Sequence, residues 1–266
     1  MKLLRKKEKV QQEKKSYLFP DAMLYGEYKV SVMEKIVVFI LGFLVGYAAG
    51  YIFYELLPVS LIAGVIVGTV MVPKYGQMKI DKQKSAIKNQ FKSLLESLSF
   101  SLSAGKTVID SFVGAKEDLL IQYSEDDYIV KEIDNIIVGL NNNFNIEDML
   151  FDLAERSESE DIKNFANVFD TCYRKGGQIK EVILSTYRLI NDKMEINMEI
   201  ESMVASSKME QNMMSVMPVF FVFILNTMGS EITGKGTPLG YISTTVALAL
   251  FAIAHLVGKK VLSIKM

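Results

Sequence analysis

DIKNFANVFDTCYRKGGQIKEVILSTYRLI, residues Asp161 to Ile190, reads as helix, glycine turn, helix. Ile162, Phe165, Ala166, Phe169 and Tyr173 recur at helical spacing and so share one face. Arg174 and Lys175 stand in the expected last turn, and Gly176-Gly177 can take the left-handed conformation that closes a helix. A second amphipathic helix is expected from about Gln178, with Ile179, Val182, Ile183, Thr186, Leu189, Ile190 and Met194 on its buried side. It can run on through Ser207 and join the next apolar segment as one rod. This hairpin lies in a polar stretch, Lys79 to Gln211, flanked by two pairs of strongly apolar segments. No period-two run competes with the helical reading. The expected fold is an all-α membrane protein: four transmembrane helices, with one cytoplasmic helical-bundle domain between the second and third.

Half of the 266 residues are hydrophobic and the mean hydropathy is +0.21, high for a soluble chain and low for one wholly in lipid. A net charge of −1 conceals a division. Residues 1–35 carry nine Lys/Arg against five acids and residues 73–92 carry six against one, whereas residues 93–212 carry eleven against twenty-three, a net of −12. Basic charge therefore gathers beside the apolar segments, as a collar facing anionic lipid would, and acidic charge gathers in the body away from them. The single cysteine, Cys172, has no intramolecular disulfide partner, so nothing points to an oxidising compartment.

Ile36 to Tyr54 is uncharged over nineteen residues, enough to cross the hydrocarbon core. Gly42, Gly46 and Gly50 recur every four residues, and after a tight link at Glu55 the second span, Leu56 to Val72, repeats the spacing with Ser60, Gly64 and Gly68. Small residues in register let two helices approach closely, so these faces are expected to pack together, although glycine is also simply common in membrane helices. The third apolar segment, Met213 to Gly229, contains Pro218 and Asn226: a kink and a bond to another helix are the ordinary roles of these residues in lipid. The fourth, Leu239 to Gly258, holds the only histidine, His255, near its basic end, where an interfacial place is expected rather than a metal or proton-relay site.

The N-terminal 35 residues are too long and too charged for a cleaved signal peptide. Tyr17, Leu18, Phe19, Met23, Leu24, Tyr25 and Tyr28 suit either the membrane interface or a partly disordered arm. The Lys/Arg cluster at the front is short, mixed with acids and next to a span, so no nucleic acid is expected as a partner. Both short linkers, around Glu55 and from Ser230 to Pro238, are nearly free of Lys/Arg, whereas the N-terminus, Lys74 to Lys92 and Lys259 to Lys265 are rich in them. Both termini and the central domain are thus expected in the cytoplasm, with the chain in the cytoplasmic membrane. The resulting division is 1–35 basic arm, 36–72 transmembrane pair, 73–212 helical domain, 213–258 transmembrane pair, and 259–266 basic tail.

Within the central domain, Phe91, Leu94, Leu95, Leu98 and Leu102 form an apolar face ending at Gly105, and Val108, Ile109 and Phe112 open another helix. Ile129, Ile133, Ile136, Ile137 and Leu140 form a third face before the turn Asn141 to Asn145. Asn145 is a candidate N-cap with Asp148 three residues on, followed by Met149, Leu150 and Leu153, and Ser157 or Ser159 can cap the next helix. Shifting the sequence by 71 residues lays Phe91 on Ile162, Leu98 on Phe169, Leu102 on Tyr173 and Gly105 on Gly176. Two helical hairpins would agree in part by chance, so this repeat is suggestive only.

No catalytic constellation emerges. Ala104-Gly105-Lys106-Thr107 resembles the end of a phosphate-binding loop, but position 100, where that loop needs glycine, is Phe100, and a helix rather than a strand precedes it. A helix cap with Thr107 opening the next helix is the preferred account. Glu155, Glu158, Glu160 and Asp161 are hard oxygen ligands that suit a divalent cation, yet acids at a helix N-terminus are favoured by its dipole without one. Cys172 lies beside the apolar stripe and reads as packing. No cofactor or metal is expected, and the chain reads as a non-enzyme.

QFKSLLESLSFSLSAGKTVIDSF, then FNIEDMLFDLAERSESEDIKNFANVFDTCYRKGGQIKEVI, then a charged helix and a membrane span, resemble the F domain of type II secretion and type IV pilus machines. The resemblance covers roughly Gln90 to Phe221. Its specific parts are the glycine turn after the first helix, the LAER segment, and the turn from Arg174 to Gly177. Two spans on either side of a single F domain make the chain similar to the platform proteins of Tad (tight adherence, Flp) pili. The resemblance implies a scaffold that couples a hexameric secretion ATPase to pilin subunits, alone or with a paralogous F-domain protein, as a homo- or hetero-oligomer in membrane lipid. Gly105, Lys106, Arg174, Lys175, Gly176 and Gly177 are then candidate docking turns, although helix caps need the same glycines. A four-span signalling protein or receptor is the alternative, disfavoured by external linkers too short to sense much. A small transporter would place ionisable residues inside the spans, and only His255 comes near.

Overall fold

The computed structural model describes residues 18–19, 22–227 and 237–262. The N-terminal basic cluster, most of the linker between the last two apolar segments, and the end of the basic tail lie outside them. The described residues form eight helices and no strand: α1 Val32–Tyr54, α2 Leu57–Ser103, α3 Val108–Gln122, α4 Tyr128–Asn141, α5 Ile146–Ser157, α6 Glu160–Lys175, α7 Ile179–Thr227 and α8 Pro238–Leu262. Three of them, Val32–Tyr54, Leu57–Ser103 and Pro238–Gly258, are long and apolar enough to cross a membrane. The expected third span, Met213 to Gly229, is helical as far as Thr227 but is not among the three.

Two elements are longer than the sequence pattern suggests. The expected second span and the apolar face from Phe91 to Leu102 belong to one helix, α2, of 47 residues with Pro73 inside it. Proline withdraws one backbone donor, but the residues after it, rich in Lys, Gln and Met, are good helix formers that let the helix continue. At the other end of the first pair, α1 begins at Val32 rather than Ile36. Ser31 and Glu34 form a capping box there, in which the Ser31 N–H donates to Glu34 Oε2 at 2.8 Å.

The chain divides into two compact units, Met1–Tyr28 with Met78–Met194, and Lys29–Gln77 with Glu195–Met266. The first has a single apolar core fed by every helix it contains: Phe91, Leu95 and Leu98 from α2, Phe112 and Leu119 from α3, Ile129 and Ile133 from α4, Leu150 and Leu153 from α5, Phe165 and Phe169 from α6, and Ile183 and Ile190 from α7. Edge-to-face rings knit it, Phe91 against Phe165 at 5.4 Å and Phe112 against Phe169 at 6.3 Å. Fully burying such a side chain stabilises by about 1.5–3 kcal/mol. The sequence pattern leaves the aromatic arm at the membrane interface or disordered. Instead Tyr25 is buried in this core, and Leu18 and Phe19 pack against it.

In the second unit α1 meets the first part of α2 through glycine. A Cβ at Gly42 would stand 3.0 Å from the Gly68 Cα, one at Gly46 would stand 2.7 Å from the Ala63 carbonyl oxygen, and one at Gly50 would stand 2.9 Å from the Ser60 Cα. Gly64 and Gly68 likewise leave room for the Phe43 and Phe39 rings. Polar side chains tie the remaining helices. Asn226 Nδ2 donates to the Ile52 carbonyl at 2.7 Å, the Tyr54 and Thr245 hydroxyls lie 3.0 Å apart, and His255 Nδ1 lies 2.8 Å from Ser215 Oγ.

Candidate interaction site

In the first unit, Lys84 pairs with Glu158 just before α6, Lys88 with Asp161 in its first turn, and Phe91 packs on Phe165, so successive positions of α2 meet successive positions of the chain into α6. The two helices therefore run in the same direction, and the glycine turns that follow them lie at the same end of the bundle. Arg174 Nε, in the last turn of α6, stands 3.6 Å from Glu147 in the first turn of α5, which brings the Asn141–Asn145 turn to that end too. All six candidate docking residues, Gly105, Lys106, Arg174, Lys175, Gly176 and Gly177, are thereby gathered on one end face.

What holds these turns is capping. Gly105 and Gly176 have φ of +84° and +73°, a region costly for residues with a Cβ, and open space surrounds the place a Cβ would take. Thr107 Oγ1 accepts from the Asp110 N–H at 3.1 Å and so starts α3, which gives the Gly-Lys-Thr sequence a structural reason without a phosphate. Gly177 has a different reason: its Cβ would meet Cys172 Cβ at 3.0 Å. Cys172 itself is partly buried against the core.

Two of the four acids in the run from Glu155 to Asp161 are held by lysines. Glu158 takes Lys84 at 2.6 Å, and Asp161, only 9% exposed, is held between Lys88 at 2.7 Å and Lys193 at 2.5 Å. Burial alone would raise the Asp161 carboxyl, but the two lysines outweigh it and hold it below the usual carboxylate range. Among the described residues no group of three or more His, Cys, Asp or Glu is placed to hold a metal ion. Asp161 thus links α6 to both α2 and α7.

The most elaborate polar site in this unit is one the sequence reading does not single out. Arg156, 2% exposed, donates through Nη1 and Nη2 to the two oxygens of Glu132 at 2.6 Å each, and through Nε to Asp152 at 2.6 Å. The N-terminal arm completes the network: the Tyr25 hydroxyl donates to Glu132 at 2.8 Å, the Leu18 N–H donates to Asp152 at 2.7 Å, and the Arg156 Nη1 also donates to the Met23 carbonyl at 3.2 Å. The Tyr25 N–H donates to the Arg156 carbonyl at 3.0 Å. Burial and then Glu132 raise the Tyr25 hydroxyl, keeping it protonated as the donor the network needs. Burial opposes the Arg156 charge, and Glu132 and Asp152 more than restore it. A fork of five donors facing two carboxylates is the arrangement in which a buried charge is tolerated. The signal was present: Arg156 follows Met149, Leu150 and Leu153 on the apolar face of α5, one turn after Asp152.

The described residues thus present two well-defined features, an end face of capped turns and an arm locked across the bundle. No family model matches this chain, and neither a curated protein nor a solved structure matches it.

Proposed function

We propose that the chain is a platform protein of a Tad-type pilus or related secretion machine, a scaffold in the cytoplasmic membrane that couples a hexameric ATPase to pilin assembly or protein export. In this reading the chain has four spans, the helical unit is inserted between the second and third, and both termini are cytoplasmic. The observation that carries it is that α2, Leu57–Ser103, and α7, Ile179–Thr227, each contribute residues to both compact units as unbroken helices. A helix of about 1.5 Å rise per residue is a stiff strut, so displacement at the helical unit would be passed along two such struts to apolar segments. The end face with Gly105, Lys106 and Arg174 to Gly177 is the proposed ATPase contact, and the small-residue faces serve packing among spans. A paralogous F-domain protein and pilin are the other proposed partners.

Cross-linking the full-length protein in native membranes, followed by purification and mass spectrometry, tests this. Recovery of a secretion ATPase with a pilin or a second F-domain protein is expected. A preparation containing only the protein itself, or one containing a kinase, would move the assignment to the signalling alternative.

A further inference from the structure

In the helical unit the buried carboxylates Glu132, Glu147, Asp152 and Asp161 each face a cation, whereas half-buried Glu96 and exposed Asp118 do not. A groove of about 380 Å³ runs between α2 and α3, lined by Glu96, Ser97 and Phe100 of α2 and by Asp118 and Ile121 of α3 among others. Its lining holds two carboxylates and, among the described residues, no cation. Asp118, itself exposed, accepts from the Ser97 hydroxyl at 2.5 Å. Neither carboxylate forms an ion pair among the described residues, unlike Glu132, Asp134, Asp152, Glu158 and Asp161. Its rims are Phe100 and Ile121, exposed to 70% and 83%. Ile121 is thus almost as open to water as in an extended chain, although it faces a groove shaped to take apolar atoms. Two carboxylates beside two bare apolar side chains suit a segment that alternates cations with aliphatic side chains.

We propose that the occupant is the chain's own N-terminal segment, Lys2 to Lys15, KLLRKKEKVQQEKK. It has seven Lys/Arg against two Glu, with Leu3, Leu4 and Val10 among them, the complement in both charge and apolar content of the groove. It is also within reach. The described chain begins at Leu18, fixed to Asp152 of the same unit. The roughly seventeen preceding residues span up to about 55 Å at roughly 3.3 Å each, against about 24 Å for the longest helix confined to that unit, the 16-residue α6, at about 1.5 Å per residue. Tethering makes the encounter intramolecular, so weak contacts suffice. Bound there, the segment neutralises Glu96 and Asp118, covers Phe100 and Ile121, and withholds its lysines from an anionic membrane surface. This holds whether or not the chain is a pilus platform.

The test is site-specific photo-cross-linking in the full-length chain in its membrane, with p-benzoylphenylalanine at position 100 or 121. The same probe at position 144 is the control, since the Phe144 ring lies 6.5 Å from that of Phe19 and should capture the arm. With the control positive, the expected result is a cross-link from position 100 or 121 to a peptide within Lys2 to Lys15 of the same molecule. It should be lost in a Glu96→Lys, Asp118→Lys double variant and weakened at high salt. Capture of lipid, of a second copy or of a different protein, no capture at all, or capture of the segment undiminished by the double variant would each overturn the proposal. Because both probe sites are exposed, folding is not at risk, and an unchanged thermal transition confirms that for each variant.

Discussion

The two compact units solve the same problem, holding helices side by side, with opposite means. In the first, large side chains fill a core, and the polar network that enters it is closed on itself: Arg156 meets Glu132 and Asp152, and Tyr25 completes the set. In the second, the helices of the first pair touch through absences, Gly42, Gly46 and Gly50 against Ser60, Ala63, Val67, Gly68 and Met71, while large apolar residues such as Leu41, Leu44, Val45, Ile62 and Ile66 point outward. The difference follows from the solvent. Water rewards burial of large apolar groups, whereas lipid does not distinguish a buried leucine from an exposed one, so close backbone approach and dispersion must supply the contact.

The sharpest break in this contrast is Arg156→Ala. It would leave Glu132 and Asp152 charged in the interior and should cost about 3–5 kcal/mol, read as a lowered denaturation midpoint of the full-length protein in detergent. A loss under about 1 kcal/mol, the scale of a solvated surface pair, would mean that water reaches the site. In the second unit, Gly46→Leu should separate α1 from α2, because its Cβ alone would stand 2.7 Å from the Ala63 carbonyl oxygen and 2.9 Å from Val67. A cost of about 1–3 kcal/mol is expected, together with loss of a disulfide engineered across that pair. Leucine at Gly105, by contrast, meets open space and pays only for its backbone.

Two further changes refine the picture within the first unit. Tyr25→Phe removes one hydroxyl bond to a charged acceptor and should cost about 1.5–3 kcal/mol, while amide exchange rises at Met23 to Tyr25 before it rises in α4 and α5. Uniform exchange would show that the arm is no separate layer. Asp161→Asn should cost about 1 kcal/mol, since its lysines are partly solvated. Its sign with pH is fixed: the folded carboxyl lies below the ordinary value of 3.8, so the contribution is complete above that value and is lost as pH falls through the folded one. The stabilities of the wild-type protein and the D161N variant should therefore converge in acid, once the pH has fallen below the folded carboxyl's value.

Much of this architecture was legible because helical periodicity is a local signal. The faces Phe91 to Leu102 and Ile162 to Phe169, the glycine turns and the start of α3 at Thr107 all follow from spacing and cap chemistry. The length of α2 was not, since Pro73 and the basic run after it read as a boundary, and nothing local says that a helix passes through one. Nor was the place of the arm. Tyr25 is bound by Glu132 and Arg156, more than a hundred residues away, and its sequence neighbours are equally suited to a membrane interface. The network had one readable trace, Arg156 on an apolar face. The glycine turns of the end face were named residue by residue as candidates, but their lying at one end depends on the parallel course of α2 and α6, which is tertiary.

The proposed function places the first unit in cytoplasmic water and the second in lipid. Replacing Cys172 by Ser and Lys106 by Cys gives a single thiol on the end face, which a membrane-impermeant maleimide can probe in intact spheroplasts and in inside-out vesicles. Labelling in the vesicles and none in spheroplasts until they are permeabilised is the predicted result. Labelling of intact spheroplasts would put the helical unit on the outer side and contradict both the topology and the platform function built on it.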